Sequence, residues 1–259
     1  MGKKKVAVIT GATRGIGNAI ANKMADEGFA IVACGTMSPE RADEHLKEVK
    51  AKTEFLYVRA DMSRQEDREK LISAAVEHFG RIDALINNAG VGSAKQENIL
   101  DVSEESLDRV MDINLKGYLF TAQLAAKQMI KQVQEDPQGE RPVIVNMSSI
   151  SSYTLSLMRG EYCMSKAAIT MLTKLLAFAL ADYEINVYEV RPGNILSDMT
   201  MPVKEKFDRY IAEGLHPLRR WGTGEDVAKA VAAICLGYLP YTTGSAIDVD
   251  GGFHMKWID

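Results

Sequence analysis

Cysteine is scarce in this chain of 259 residues. Cys34, Cys163 and Cys235 are odd in number and scattered, with no C-x-x-C spacing, which argues against a disulfide framework or a zinc site. A reducing, cytoplasmic compartment is expected. The histidines are few as well: His45, His78, His216 and His254 lie far apart and form no metal-ligand pattern, so no metal is expected. Neither charge sign dominates, and a formal net charge of -4 supplies no basic field for nucleic acid. Long apolar runs are missing too. Stretches such as Leu175 to Ala181 are too short to span a bilayer, so no membrane partner is expected and the protein reads as soluble. Lys3-Lys4-Lys5 resembles a signal-peptide n-region, but the apolar run behind it stops at Thr10-Gly11. It reads instead as a charged lead-in to a buried strand. No fixed-period repeat or low-complexity tract interrupts the chain, and the one linker-like stretch, Gln134 to Pro142, reads as a surface loop.

What is present is enough for one large core. With 46% hydrophobic and 25% charged residues, residues 1–259 are expected to form a single α/β domain. Short β-rich runs alternate with helical patterns throughout. Strands are predicted at Lys5–Ile9, Phe29–Cys34, Glu54–Val58, Ile82–Ile86, Val143–Val145, Ile185–Val190 and Ala246–Val249. Between them the periodicity predicts helices over Ile16–Glu27, Pro39–Lys50, Ser63 to about Phe79, Ser103 to about Gln134, Gly160–Asp182, a polar segment near Met199–Glu213, and Glu225–Leu236. Ser63 is expected to cap its helix with Glu66 as capping-box partner. Such alternation predicts a doubly wound parallel sheet of about seven strands, a Rossmann fold with helices on both faces.

The chemistry centres on Tyr162-Cys163-Met164-Ser165-Lys166. On a helix, Tyr162 and Lys166 lie four apart on one face, so a phenol and an ammonium share the same space. The ammonium is expected to lower the phenol pKa towards a working range, so that the phenol exchanges a proton with an alcohol or a ketone. Ser149, thirteen residues earlier at the end of the Val143-Ile144-Val145 run, is placed to hydrogen-bond the same oxygen. Cys163 lies about 100 degrees round the helix and reads as packing. Gly11, Gly15 and Gly17 follow a strand and open a helix, a context in which the backbone comes close to a diphosphate at the helix N-terminus.

Thr10-Gly11-Ala12-Thr13-Arg14-Gly15-Ile16-Gly17, Asn87-Asn88-Ala89-Gly90, Asn114, Ser149 with Tyr162 and Lys166, and Arg191-Pro192-Gly193 together resemble the short-chain dehydrogenase/reductase family, in its order and spacings and over essentially the whole chain. The Gly-x-x-x-Gly-x-Gly spacing differs from that usual in relatives that epimerise nucleotide sugars. The resemblance implies a catalytic set of Asn114, Ser149, Tyr162 and Lys166: Tyr162 as general acid or base, Lys166 on the nicotinamide ribose hydroxyls, Ser149 steadying the substrate oxygen, and Asn114 bending its helix to hold a proton-relaying water. It implies cofactor contacts from the loop residues Gly11, Thr13, Arg14, Gly15, Ile16 and Gly17, from Thr36, from Asp61 at the adenine with Met62 beside it, and from Asn88, Ala89 and Gly90. Pro192, Gly193, Ile195 and Ser197 are implied at the carboxamide. No acid stands in Ala33 to Ser38, where an NAD-preferring site usually carries one. Arg14 stands where NADP-preferring relatives often place a cation, with Thr36, Ser38 and Arg41 as further donors, so NADP(H) is expected over NAD(H); the other reading of Arg14 is a solvated loop cation.

The expected partner is a small-molecule carbonyl or alcohol, bounded by Ser151 to Arg159, Val91 to Lys95 and a lid over about residues 198–221. Pro-Leu-Arg-Arg-Trp-Gly-Thr-Gly-Glu-Asp-Val-Ala resembles the 3-oxoacyl-carrier-protein reductase branch, but Lys174 set against Asp182 and Glu184 makes a poor dock for an acidic carrier. Arg159, three residues before Tyr162, is open to two readings: a solvated loop arginine, or a partner for a carboxylate or phosphate on a small polar or sugar-derived substrate. A non-catalytic cofactor sensor on the same fold is the alternative function, disfavoured because all four residues of the set are present. The C-terminal Gly244 to Gly252 and the tail through Trp257 resemble segments that pack between subunits, so a homotetramer is expected, with a dimer as the second choice.

Overall fold

Runs of Val, Ile and Ala with no charged residue can be buried on both faces, and four such runs make the middle of the sheet. The computed structural model describes residues 4–197 and 200–255. Among these, β1 (Val6–Ile9), β2 (Ala30–Gly35), β3 (Phe55–Arg59), β4 (Ala84–Asn87), β5 (Val143–Met147), β6 (Asn186–Pro192) and β7 (Ala246–Val249) form one sheet in the order β3-β2-β1-β4-β5-β6-β7. Every neighbouring pair is parallel. The chain winds outward from β1 in one direction and from β4 in the other. A crevice therefore opens beyond the carboxyl ends of these two strands, where the crossovers leave on opposite faces.

The pleat divides the core. Ala7 and Ile9 of β1 face one side, with α1 (Gly15–Asp26) and α9 (Gly224–Cys235); Val6 and Val8 face the other, with α4 (Gln65–Phe79), α6 (Gly117–Glu135) and α7 (Gly160–Leu180). Each fully buried Val or Ile contributes on the order of 2 kcal/mol. The remaining helices are α2 (Pro39–His45), α3 (Lys47–Lys52), α5 (Glu104–Met111) and α8 (Lys204–Ala212).

Four local expectations change. The helix predicted over Pro39–Lys50 is two, broken at Leu46 (φ -107°, ψ 11°), because the break brings Leu46 and Val49 into the same core as Ala42. Ser63 caps nothing: its N–H and hydroxyl donate to Asp61 Oδ1 at 2.9 and 2.8 Å, and α4 starts after Arg64. The long helix from Ser103 is interrupted by a π-helical turn, Asp112–Lys116. Last, α8 follows a short 3₁₀ turn at Met201–Val203, so the polar helix is shorter than expected. Asp198 and Met199 of the expected lid, and Trp257 of the tail, lie outside the described residues.

Counting only unbroken apolar runs also passed over α7. With its flanking turns it covers Leu157–Tyr183, 27 residues that include an 18-residue window of mean hydropathy 1.4, a length and composition sufficient to cross a bilayer. Its inner face is packed, with Ile169, Leu172, Thr173, Ala177 and Leu180 buried. Its outer face leaves Met164, Met171, Leu175 and Phe178 exposed, the last at 88%.

Candidate active site

At the reversal between β1 and β4 lies a cavity of about 530 Å³. Its floor is the turn after β1. Gly11 has φ +65°, and a Cβ on Gly17 would stand 2.2 Å from the Gly11 carbonyl oxygen, so these two positions admit no larger side chain. Thr10, at the end of β1, ties this turn to the end of β4: its hydroxyl accepts from Asn88 N and Ala89 N, both at 2.9 Å, while Asn88 Nδ2 donates to Thr10 O and Gly11 O at 2.9 and 3.2 Å. The first turn of α1 holds no acid, so the positive helix end faces the cavity unopposed.

Most of the expected cofactor residues line this cavity. Gly11, Thr13, Arg14, Gly15, Ile16 and Gly17 do so from the loop, Thr36 from the end of β2, Asp61 and Met62 from beyond β3, and Asn88, Ala89 and Gly90 from beyond β4. Tyr162, Lys166, Pro192 and Ser197 close the other end. Gly193 and Ile195 do not reach it. A Cβ on Gly193 would lie 2.6 Å from Asp250 Cα, and Ile195 is buried, bridging Gly222 on the far side of the loop. Asn114 and Ser149 do not line it but touch residues that do: Asn114 Oδ1 accepts from Val91 N at 2.9 Å, and the Ser149 hydroxyl acts on the Tyr162 phenol. Val91, expected to bound the substrate, lines this cavity too, and sequence reading did not assign Cys34, Gly35, Ala60, Ile113, Met147 and Ser148 to it, all lining residues. Their position at or just past strand and helix ends was the available signal.

The turn after β2 is held in shape. Tyr57 donates its hydroxyl to Gly35 O and Met37 O at 3.1 and 2.9 Å, and Arg59 Nε donates to Thr36 O at 3.2 Å. Arg14 is exposed at the rim and forms no ion pair among the described residues. It stands across the loop from Thr36, both on the cavity wall.

The π-helical turn does specific work. It turns Asn114 fully inward, where Oδ1 accepts from Val91 N and Nδ2 donates to Val91 O, both at 2.9 Å, and to Ser165 Oγ at 3.1 Å. Asn114 thereby links the loop after β4 to α7. A Cβ on Gly90 would lie 3.3 Å from Asn114 Oδ1 and 3.6 Å from Lys166 Nζ, so the three residues crowd one corner.

Lys166 is 4% exposed, and its ammonium donates to Met147 O at 3.0 Å. The same carbonyl accepts from the buried Tyr118 hydroxyl at 3.0 Å. Burial depresses Lys166 to about 8, while the Glu189 carboxylate pulls it upward. The phenol behaves differently from expectation. Burial raises Tyr162 above its ordinary value, and the opposing influences are the Arg159 guanidinium and the Ser149 hydroxyl. Lys166 Nζ stands 5.7 Å from the centre of the Tyr162 ring, its charge directed to Met147, whereas Arg159 Cζ is nearer, at 4.9 Å.

Next to Ser149, against Ser148, lies a charged group that sequence reading did not find. Glu189, 2% exposed on β6, accepts from Ser148 Oγ, from Thr170 Oγ1 at 2.9 Å and from Arg191 Nε at 2.8 Å. Arg191 also donates to Thr170 Oγ1 at 3.2 Å and stacks near Tyr153. A Glu and an Arg two apart on one strand share a face, which was the only sequence signal for the pair.

A cavity at that position, with a helix N-terminus for its floor and a phenol and a buried ammonium in its wall, suits one class of protein, the oxidoreductases that hold a nicotinamide dinucleotide. The chain belongs to the short-chain dehydrogenase family, whose family model matches residues 5–208. It is 34% identical over 252 residues to the 3-oxoacyl-[acyl-carrier-protein] reductase FabG of Staphylococcus epidermidis, covering 97% of this chain and 99% of that one. It is 33% identical over 251 residues to the 2-dehydro-3-deoxy-D-gluconate 5-dehydrogenase of Dickeya dadantii, covering 96% and 95%. A crystal structure of a 3-oxoacyl-[acyl-carrier protein] reductase from Brucella melitensis in complex with NAD superposes over 100% of both chains, with a TM-score of 0.91 and 35% identity.

Proposed function

We propose that the protein interconverts a ketone and a secondary alcohol, with NADP(H) preferred over NAD(H). The carrying observation is that Tyr162 and Lys166 share one cavity with the glycine turn of α1. Gly11 and Gly17 leave the room that a diphosphate needs, and Asp61, Asn88 to Gly90, Pro192 and Ser197 line the same cavity of about 530 Å³, where the adenosine and nicotinamide ends would lie. The bound nicotinamide would supply or accept the hydride. Tyr162, protonated at neutral pH because burial raises it, donates the proton to the carbonyl oxygen in reduction and recovers it in oxidation. Ser149 holds that oxygen. Lys166 and Arg159 supply the positive charge that steadies the phenolate, and Asn114 fixes the corner through which Lys166 exchanges its proton.

Arg14 and Thr36 support the NADP(H) preference, since neither is committed to a carboxylate and an arginine matches a phosphate with two parallel donors. Titration with NADPH and NADH, read by nicotinamide fluorescence, is expected to favour NADPH at least tenfold, and Arg14→Ala to remove most of that margin. Equal binding of the two cofactors by the wild type would overturn the preference. Turnover of a ketone panel with the tighter cofactor then tests the reaction; binding without turnover of any ketone would favour the sensor alternative.

For the substrate, the relatives offer an acyl thioester and a keto sugar acid, and the α7 region favours the smaller compound. The cations Lys174 and Arg141 are balanced by Asp182 and Glu184, Arg141 pairing with Glu184 at 3.0 Å, so this surface carries no net positive field for an acidic carrier. The substrate lies over the nicotinamide end, covered by the segment that carries α8. The exposed stripe Met164, Met171, Leu175 and Phe178 fits a second copy of the same helix, supporting a homo-oligomer, a tetramer before a dimer. Light scattering is expected to give a mass above that of one chain and a smaller mass for Phe178→Glu. An unchanged mass in that variant would remove the stripe from the interface. The free thiols of Cys34, Cys163 and Cys235 support a cytoplasmic setting.

A further inference from the structure

Two arginines approach the catalytic corner, and only one is neutralised. Arg191 is bound to the buried Glu189 carboxylate through Nε at 2.8 Å. Arg159, at the end of the short 3₁₀ turn Leu157–Arg159, is half-buried and forms no ion pair among the described residues. Its position is nevertheless fixed. One Nη2 hydrogen goes to Ser151 Oγ at 3.2 Å, and the guanidinium carbon stands 4.9 Å from the centre of the Tyr162 ring. The other four N–H donors have no protein partner among the described residues. Glu161, the acid in the first turn of α7, accepts from Ser106 on α5 at 2.8 Å through Oε1, its buried Oε2 has no partner, and neither oxygen pairs with Arg159.

A planar guanidinium held this way is pre-organised for a carboxylate or phosphate, because its orientation is already paid for by the stacking and the Ser151 bond. With the guanidinium carbon 4.9 Å from the centre of the Tyr162 ring, an anion on Arg159 would stand beside a carbonyl oxygen held by that phenol. We propose that Arg159 and Ser151 form an anion subsite beside the reacting carbon, so that the substrate is a small ketone or alcohol carrying a carboxylate or phosphate close to that carbon. This rests on the reaction assigned above. It also separates the substrate from a carrier-bound acyl thioester, which has no charge near its keto group.

The test uses matched pairs on the full chain with the tighter-binding cofactor: acetoacetate against ethyl acetoacetate for the carboxylate, and dihydroxyacetone phosphate against dihydroxyacetone for the phosphate. In the wild type kcat/KM is expected to favour the charged member of at least one pair by about 10- to 100-fold, the range of a charge-assisted hydrogen bond, and the pair that shows it identifies the anion. Arg159→Ala collapses that ratio towards one through the KM of the charged member, over a fall in kcat shared by both members because Arg159 also steadies the phenolate, and Arg159→Lys restores part of the ratio. A wild-type ratio near or below one in both pairs, or a ratio that survives Arg159→Ala, overturns the subsite. Cofactor titration verifies that each variant is folded, and Arg159→Gln replaces the alanine if it is not. Should none of the four compounds turn over, the reaction assigned above fails for them while the subsite is still decided, by calorimetric titration of the cofactor-saturated protein with malonate and with inorganic phosphate. Saturable binding of either that is lost in the Arg159 variant upholds it, and no saturable binding by the wild type overturns it.

Discussion

Tyr162→Phe is expected to lower kcat for ketone reduction by about a thousandfold, the middle of the range for a general acid, while cofactor affinity changes little. The substitution removes one oxygen and leaves the ring that Arg159 stacks on, so the fold of the corner is kept. The wild-type pH profile carries a second readout. In the proposed reaction, reduction needs a protonated phenol and a charged Lys166; burial raises the first and depresses the second to about 8. The reductive rate therefore holds at neutral pH and declines as pH rises through about 8. Oxidation runs the other way in its need for the phenolate. A Tyr162→Phe variant with more than a tenth of wild-type kcat would remove the phenol from the role of acid.

Glu189→Ala is expected to cost about 3–5 kcal/mol of stability, because it leaves Arg191 without its buried counter-charge and two hydroxyls without their acceptor. For a chain of this size that corresponds to a fall in Tm of roughly 6–20 °C. Adding Arg191→Ala is expected to recover part of the loss, since the penalty comes from the stranded charge more than from the missing pair. The same variant reports on function. Glu189 holds Lys166 upward in pKa, so without it the reductive decline moves to lower pH. Thermal melts and a pH–rate profile on both variants check this; a shift in Tm with no shift in the profile would make the pair structural alone.

Much of this architecture could be read along the chain because the signals were local. The unbroken Val-Ala-Val-Ile of β1 followed at once by glycines fixes a strand, a turn and a helix start in one stretch, and the Tyr162–Lys166 spacing puts both groups on one helical face. Where a competing partner was distant in space, local rules failed. Ser63 fits a helix cap by sequence, yet the Asp61 carboxylate takes both its donors. Pro39 to Lys50 fits one helix, yet seating Leu46 in the core under β2 breaks it in two. Gly193 and Ile195 follow the expected turn, but Asp250 and Gly222 claim them from the other side.

The sequence by itself determined the alternating strands and helices, the glycine turn, the lack of an acid after β2 and the four residues of the proposed catalytic set, since each depends on composition or on spacings of a few residues. Only the tertiary structure decided the electrostatics of the site. Burial cannot be read from Tyr162 or Lys166 alone, and it reverses the expected direction for the phenol. Nor does spacing show that Lys166 points to Met147, that Glu189 neutralises Arg191, or that Arg159 stands over the phenol ring without a counter-charge. Lys166 meets Met147 only once the sheet has set β5 beside α7, and the pairs that are close in the chain, Glu189 with Arg191 and Arg159 with Tyr162, take their strength from a burial that spacing does not show.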